Sequence, residues 1–233
     1  MSNSSLLPYS SKKNVIIIVG ATAVGKTTLA IHLSNYFNTS IVSADSRQCY
    51  KELNIGVAKP TKEELQSTHH YFIDTYSIHN KVDAAVFEND ALKAVDEIFT
   101  TNTIAIMVGG TGMYIKAFCE GLDFIPKADE TIQLAVRKGY EEKGLEWLQN
   151  KVATEDPEYF KTGETQNPQR LMRALEVKRS TGKSIRSFQN KVAVERPFNI
   201  IKIGLELTRT ALHERIHHRV DMMMQNGLLQ EVK

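Results

Sequence analysis

The sequence predicts an α/β protein, a parallel sheet covered by helices with a helical insertion, on three observations. Apolar runs that are continuous rather than alternating recur at NVIIIVG, TIAIMVGG and FNIIKIGLEL, and strands of that kind are covered by helices on both faces. Helical periodicity separates them, from Lys26 to Tyr36 and from about Asp83 to Phe99. From about Leu122 to Arg196, charged helical segments follow one another without a convincing strand. The expected organisation is 1–121 as the first part of the core, 122–196 as the insertion and 197–233 as the return to the core.

The first strand, NVIIIVG, leads into GATAVGKTT, Gly20 to Thr28. Gly20, Gly25, Lys26 and Thr27 meet the pattern G-x-x-x-x-G-K-S/T in its proper context between strand and helix. A loop of this kind turns the backbone N–H groups of Gly20, Ala21, Thr22, Ala23, Val24 and Gly25 into one concavity. The following helix adds its positive end, Lys26 adds a full charge, and the Thr27 hydroxyl can ligate Mg²⁺. The core is therefore expected to be P-loop NTPase-like. A nucleotide hydrolase would usually add an acidic residue at the end of a second strand, yet TIAIMVGG ends in glycines, and Glu206 is the one other candidate.

The second strand, TSIVSADS, places Asp45, Ser46, Arg47 and Gln48 at the carboxyl edge of the sheet, where open α/β sheets bind ligands. Asp45 there could accept a proton from an attacking group, or equally cap the next segment. The turn GGTGMY opens at the same edge and offers the Thr111 hydroxyl, although a tight turn with glycine at positive φ explains it as well. In the insertion, NPQRLMRALEVKRSTG carries its own punctuation: Asn167 as N-cap, Pro168 at the first helical position and Gly182 beyond the end. Gln169, Arg170 and Arg173 share a face near its start. Between Arg170 and Arg196, Arg170, Arg173, Lys178, Arg179, Lys183, Arg186, Lys191 and Arg196 face only Glu176 and Glu195. That run reads either as an RNA footprint or as a solvated helix face. The late helix adds Arg209, Arg215 and Arg219.

Other conspicuous residues take plainer readings. His69 and His70 point to opposite faces if they lie on a strand, so they do not form a metal site. Met222, Met223 and Met224 are expected to fill core, and Trp147 to anchor the core of the insertion. Cys49 and Cys119 lack disulfide or metal spacing and suit a reducing compartment. The composition, 42% apolar and 24% charged over 233 residues, fits a folded chain rather than a disordered one. The net charge of +2 neither demands nor excludes nucleic acid. MSNSSLLPYSSKK has no signal-peptide core and VIIIVGATAV is too short to span a bilayer, so a cytoplasmic protein with a frayed start and no membrane association is expected. HERIHHRVDMMMQNGLLQEVK ends without a helix cap, which points to truncation of a longer chain.

Taken together, GATAVGKTT, SADSRQCYKELNIGVAKP, THHYFID, VGGTGMYIKA, Asp156 with Pro157, NPQRLMRALEVKRSTGKS and RTALHERIHHRVDMMMQNGLLQEV resemble the tRNA dimethylallyltransferases in order and spacing. The chain departs from the family pattern at Ala21, where proline is usual, and at Gln133, where an arginine that contacts tRNA is frequent. The resemblance implies a monomeric Mg²⁺-dependent enzyme that moves a dimethylallyl group from dimethylallyl diphosphate to the N6 amine of an adenosine beside the anticodon in the tRNA anticodon loop. It implies Asp45 as general base, with Thr27 and Arg215 on the leaving diphosphate and Arg209 and Arg219 as reserves. Asp45, Ser46, Arg47, Gln48, Thr111, Gln133, Gln169, Arg170, Leu171, Met172 and Arg173 are the residues it implies for tRNA. A small-molecule kinase, an adenylate isopentenyltransferase and a non-catalytic RNA-binding protein are the rival readings.

Overall fold

The computed structural model describes residues 12–189 and 192–233. The chain divides into two compact units, Met1–Gly121 with Ala193–Lys233, and Leu122–Val192. The expected frayed start and Lys191 lie outside the described residues.

The first unit is built on a five-stranded sheet in the order β3-β2-β4-β1-β5. Its strands are β1 (Asn14–Gly20), β2 (Ile41–Ser43), β3 (His70–Tyr71), β4 (Ile104–Val108) and β5 (Asn199–Leu205). Every pairing is parallel, with Ile16 opposite Ile106 on one side of β1 and Ile201 on the other. Burial on both faces explains the continuous apolar runs of β1 and β4, whereas β5 has no buried residue. Ile16, Ile18, Ile41 and Ile106 pack with Ala30 of helix α1 (Lys26–Phe37). Val15, Ile17, Val42 and Met107 pack with Phe87 and Val95 of α3 (Ala84–Ile98) and Phe118 of α4 (Gly112–Glu120). Asp83 caps α3, its Oδ1 accepting from Ala85 and Val86 N–H. β3 has only two residues and no run of its own to announce it.

The first unit resumes at Ala193: the Val194 N–H bonds Glu120 O, and Arg196 is fastened to α3 and α4. One expectation for this unit fails. Met222, Met223 and Met224 are not core: α8 (Arg209–Gln225) buries no residue, and Met222 and Met224 are 40% and 52% exposed. β5 pairs only with β1 among the described residues, and Ile201 itself is half exposed. α2 (Lys62–Ser67) and α9 (Leu228–Val232) complete the unit. No helix among the described residues is long and apolar enough to cross a membrane.

The second unit is helical. α5 (Glu130–Glu155) is broken at Gly144, whose φ of 74° puts it in the left-handed region. α6 (Pro157–Thr162), α7 (Pro168–Thr181) and a 3₁₀ turn at Ile185–Phe188 follow. Val136, Leu148, Val152, Leu171, Leu175 and Val177 form its core. Trp147 packs against that core and lies over Gly139, where a Cβ would meet its ring at 2.2 Å. α7 starts and stops where its punctuation requires, with Asn167 accepting from the Arg170 N–H and Gly182 left-handed at the end.

Candidate active site

Loops at the carboxyl ends of β1, β2 and β4 meet α8 around a cleft of about 380 Å³. The phosphate loop forms one wall. Gly20 has φ 149°, and a Cβ there would meet Leu205 O of β5 at 2.6 Å, so both conformation and space demand glycine. Gly25, also left-handed, is the N-cap of α1. Lys26 Nζ donates to Gly20 O (3.0 Å) and Ala21 O (2.7 Å), folded over its own loop. Burial lowers its pKa first and the charge of Arg219 second, while Asp45 opposes them. Thr27 lies in the same lining.

Asp45 caps the segment that follows it. Its Oδ1 accepts from the N–H groups of Arg47 (2.9 Å) and Gln48 (3.3 Å), tying down the turn after β2. Both bonds fall on Oδ1, so among the described residues Oδ2 is left for a substrate, and Asp45 lines the cleft with Lys26 and Thr27. The glycine turn after β4 works by closeness rather than by positive φ: a Cβ on Gly109 would sit 2.2 Å from Ala44 O. This contact brings the Thr111 N–H to Ala44 O (3.2 Å), and Thr111 Oγ1 accepts from the Ser46 N–H (3.0 Å). Thr111 therefore fastens the Asp45 segment in place.

Gln48 is committed as well. Its Nε2 donates to Val57 O (3.3 Å) and Ala58 O (2.9 Å), and its Oε1 accepts from Ser43 Oγ (3.2 Å). Val57 and Ala58, which lie within SADSRQCYKELNIGVAKP but have no role assigned there, line the cleft. Of the late arginines, Arg215 and Arg219 belong to the lining and Arg209 does not. Arg215 Nη1 reaches Val24 O at 3.5 Å, the outer limit of a hydrogen bond. Clefts of about 420 and 640 Å³ beside β3 and α3 hold no phosphate loop. His69 and His70 belong there: His69 packs edge-on to Tyr71, and His70, its pKa lowered by burial, bonds Thr68 O through Nδ1.

Among the described residues, no cluster of three or more His, Cys, Asp or Glu could hold a metal. The cleft instead offers a hard oxygen donor at Thr27. That donor suits Mg²⁺, which takes one or two protein oxygens and completes its shell with water and substrate phosphate.

The helical unit alters the expected RNA surface. Gln169 and Arg170 are exposed at the start of α7. Leu171 and Met172 are buried in the core, so their side chains are excluded from RNA contact. The helical period turns them inward between Arg170 and Arg173. Arg173 donates to Pro126 O (3.2 Å) and pairs with Glu176 (3.8 Å). Gln133 donates to Ala128 O (2.7 Å) and lines a small recess with Arg137 and Glu176. Most of the basic run has partners: Arg179 holds Glu155 through two bonds of 2.8 and 2.7 Å, Arg186 bonds Thr162 O and Gln189, and Lys178 bonds Gly182 O. Arg196, in the α/β unit, pairs with Glu88 and donates to Phe118 O and Ala117 O. Glu88 and Glu155 lie outside the stretch from Arg170 to Arg196.

The family model for IPP transferase matches residues 48–233. The chain is 47% identical over 219 residues to the tRNA dimethylallyltransferase of Christiangramia forsetii, covering 94% of this chain and 72% of the relative. It is 44% identical to that of Cytophaga hutchinsonii, covering 95% and 73%. A solved tRNA isopentenylpyrophosphate transferase from Bacillus halodurans aligns with a TM-score of 0.62 at 33% identity, over 94% of this chain and 69% of that one. A eukaryotic dimethylallyltransferase, solved acting on tRNA, aligns with a TM-score of 0.78 at 27% identity, over 94% and 55%. With the phosphate loop, the Asp45 turn and the late arginines gathered at one cleft, and with matches of this extent, the chain belongs to the IPP transferase family, that of the tRNA dimethylallyltransferases.

Proposed function

We propose that the chain transfers a dimethylallyl group from dimethylallyl diphosphate to the N6 amine of the adenosine beside the anticodon in tRNA, releasing diphosphate. The observation that carries this reading is the single cleft in which Lys26 and Thr27, Asp45, and Arg215 with Arg219 converge. The reaction forms an N–C bond at the allylic carbon, breaks the C–O bond to diphosphate and removes one proton from the amine. Negative charge grows on the departing oxygens, where Lys26, the loop amides and the two arginines stabilise it. An exocyclic adenine amine is a weak nucleophile, so a carboxylate must take its proton as the bond forms. Asp45 does so through Oδ2, with Oδ1 held by the backbone. Mg²⁺, held by Thr27, supplies further charge neutralisation at the diphosphate when bound.

The base must leave its stack to reach such a cleft, and an anticodon loop makes that extrusion cheap. Gln169 and Arg170 supply hydrogen bonds and charge for the RNA. The chain acts as a monomer, and the free buried thiols of Cys49 and Cys119 suit a reducing cytoplasm. The test is transfer of label from radiolabelled dimethylallyl diphosphate with Mg²⁺ to an unmodified tRNA, with AMP and ATP as parallel acceptors. Label in the tRNA alone is expected; label in the nucleotides alone would replace this reading with that of an adenylate isopentenyltransferase.

A further inference from the structure

The wall of the cleft formed by Val57 and Ala58 is fastened from an unexpected direction. The N–H groups of Asn54, Ile55 and Gly56 converge on one carboxylate, that of Glu231 in α9: Asn54 and Ile55 donate to Oε2 at 3.2 and 2.7 Å and Gly56 to Oε1 at 2.9 Å. These bonds hold the Glu231 pKa below the usual carboxylate range. Successive amides aimed at one anion form a nest, and a charge-assisted bond to each amide makes the grip stronger than a neutral acceptor could. Leu228 closes the contact from the same helix: a Cβ on Gly56 would lie 3.2 Å from its Cδ1.

The loop needs such a grip. Ala58 sits at φ 46°, a left-handed conformation that costs an alanine energy and persists only when neighbours enforce it. Gln48 holds the carbonyls of Val57 and Ala58, and Lys59 holds Tyr50 O and Asn54 Oδ1. The amides of residues 54–56 are the remaining handle, and Glu231 takes all three. The α8–α9 segment thus supplies the cleft with the cations Arg215 and Arg219 and, through Glu231, with a fixed opposite wall.

We infer that Glu231 is a positioning residue for the reaction: its carboxylate latches the 54–58 loop, which seats Gln48 beside Asp45. This rests on the proposed transferase activity, but its structural part is testable without it. In the full chain, Glu231→Ala should lose the hydrogen-exchange protection of the Ile55 and Gly56 amides. Its kcat for transfer to tRNA should fall by about tenfold through misplacement of the wall, with the KM for dimethylallyl diphosphate within about twofold of the parent because the phosphate loop is untouched. Glu231→Gln, which keeps the helix and one acceptor oxygen, should fall in between. Formate should enter the vacated nest of Glu231→Ala and restore both protection and turnover, while chloride at equal ionic strength should not. Unchanged protection in Glu231→Ala would overturn the latch, as would a loss of turnover that formate leaves uncorrected. A parent chain that transfers no label would instead overturn the proposed function, and the exchange result would still decide the latch.

Discussion

The phosphate loop and the Asp45 turn are set by the chain immediately around them, whereas the availability of the basic residues between Arg170 and Arg196 is set by partners further away in sequence. Lys26 and Thr27 follow directly from the strand–glycine–helix turn, and Asp45 is oriented by the next two or three backbone amides. Arg179, by contrast, is occupied by Glu155, 24 residues earlier, and Arg196, counted with the insertion, is taken by Glu88, 108 residues earlier. Chemistry built from backbone geometry is local, while a charge surface is what remains after side chains have found their partners.

The largest test of that contrast is Asp45→Asn, which keeps an acceptor for the Arg47 and Gln48 amides but removes the proton-accepting charge. Its kcat should fall by about 10³, with the melting temperature unchanged; single-turnover transfer at the parent rate would show that the local geometry does not identify the base. Next is Arg196→Ala, which leaves Glu88 largely buried beside unpaired carbonyls and should cost about 3 kcal/mol in urea denaturation. If it instead weakened tRNA binding without loss of stability, Arg196 would belong to the RNA surface after all.

Arg170→Ala should behave in the opposite way. The exposed guanidinium contributes little to folding, and its removal should lower tRNA affinity severalfold and reduce the salt slope of binding by about one. A salt-insensitive affinity in both proteins would remove the electrostatic part of the RNA contact. The smallest effect is at Glu155, whose pKa is lowered by the hydrogen bonds from Arg179. A depressed carboxylate stabilises the fold above its ordinary pKa and loses that contribution as pH falls through the lowered one. Glu155→Gln should therefore cost at most about 1 kcal/mol at neutral pH and nothing in acid, read from paired thermal melts.

Much of the fold was legible for reasons that these residues make plain. NVIIIVG occupies β1 from its first residue to its last because a run apolar on both sides has no stable place except a covered sheet. The ends of α7 fall at Asn167 and Gly182 because caps act within a few residues. The sequence did not reveal β3, whose two residues are strand only by virtue of β2 beside them. It also misplaced Met222 to Met224, since an amphipathic pattern says which face of a helix is apolar and not whether anything covers it.

By itself, the sequence determined the covered parallel sheet, the phosphate loop, the capped helix of the second unit and the candidacy of Asp45, all consequences of backbone preference, period and short-range hydrogen bonding. Only the tertiary structure decided that Gly109 serves close approach to Ala44 and that Thr111 and Gln48 are fasteners. It alone put Arg219 in the cleft and Glu231 on the Asn54–Gly56 amides. The reason is the same in each case: a side chain's role depends on which donors, acceptors and charges surround it, and those arrive from parts of the chain that no local pattern connects.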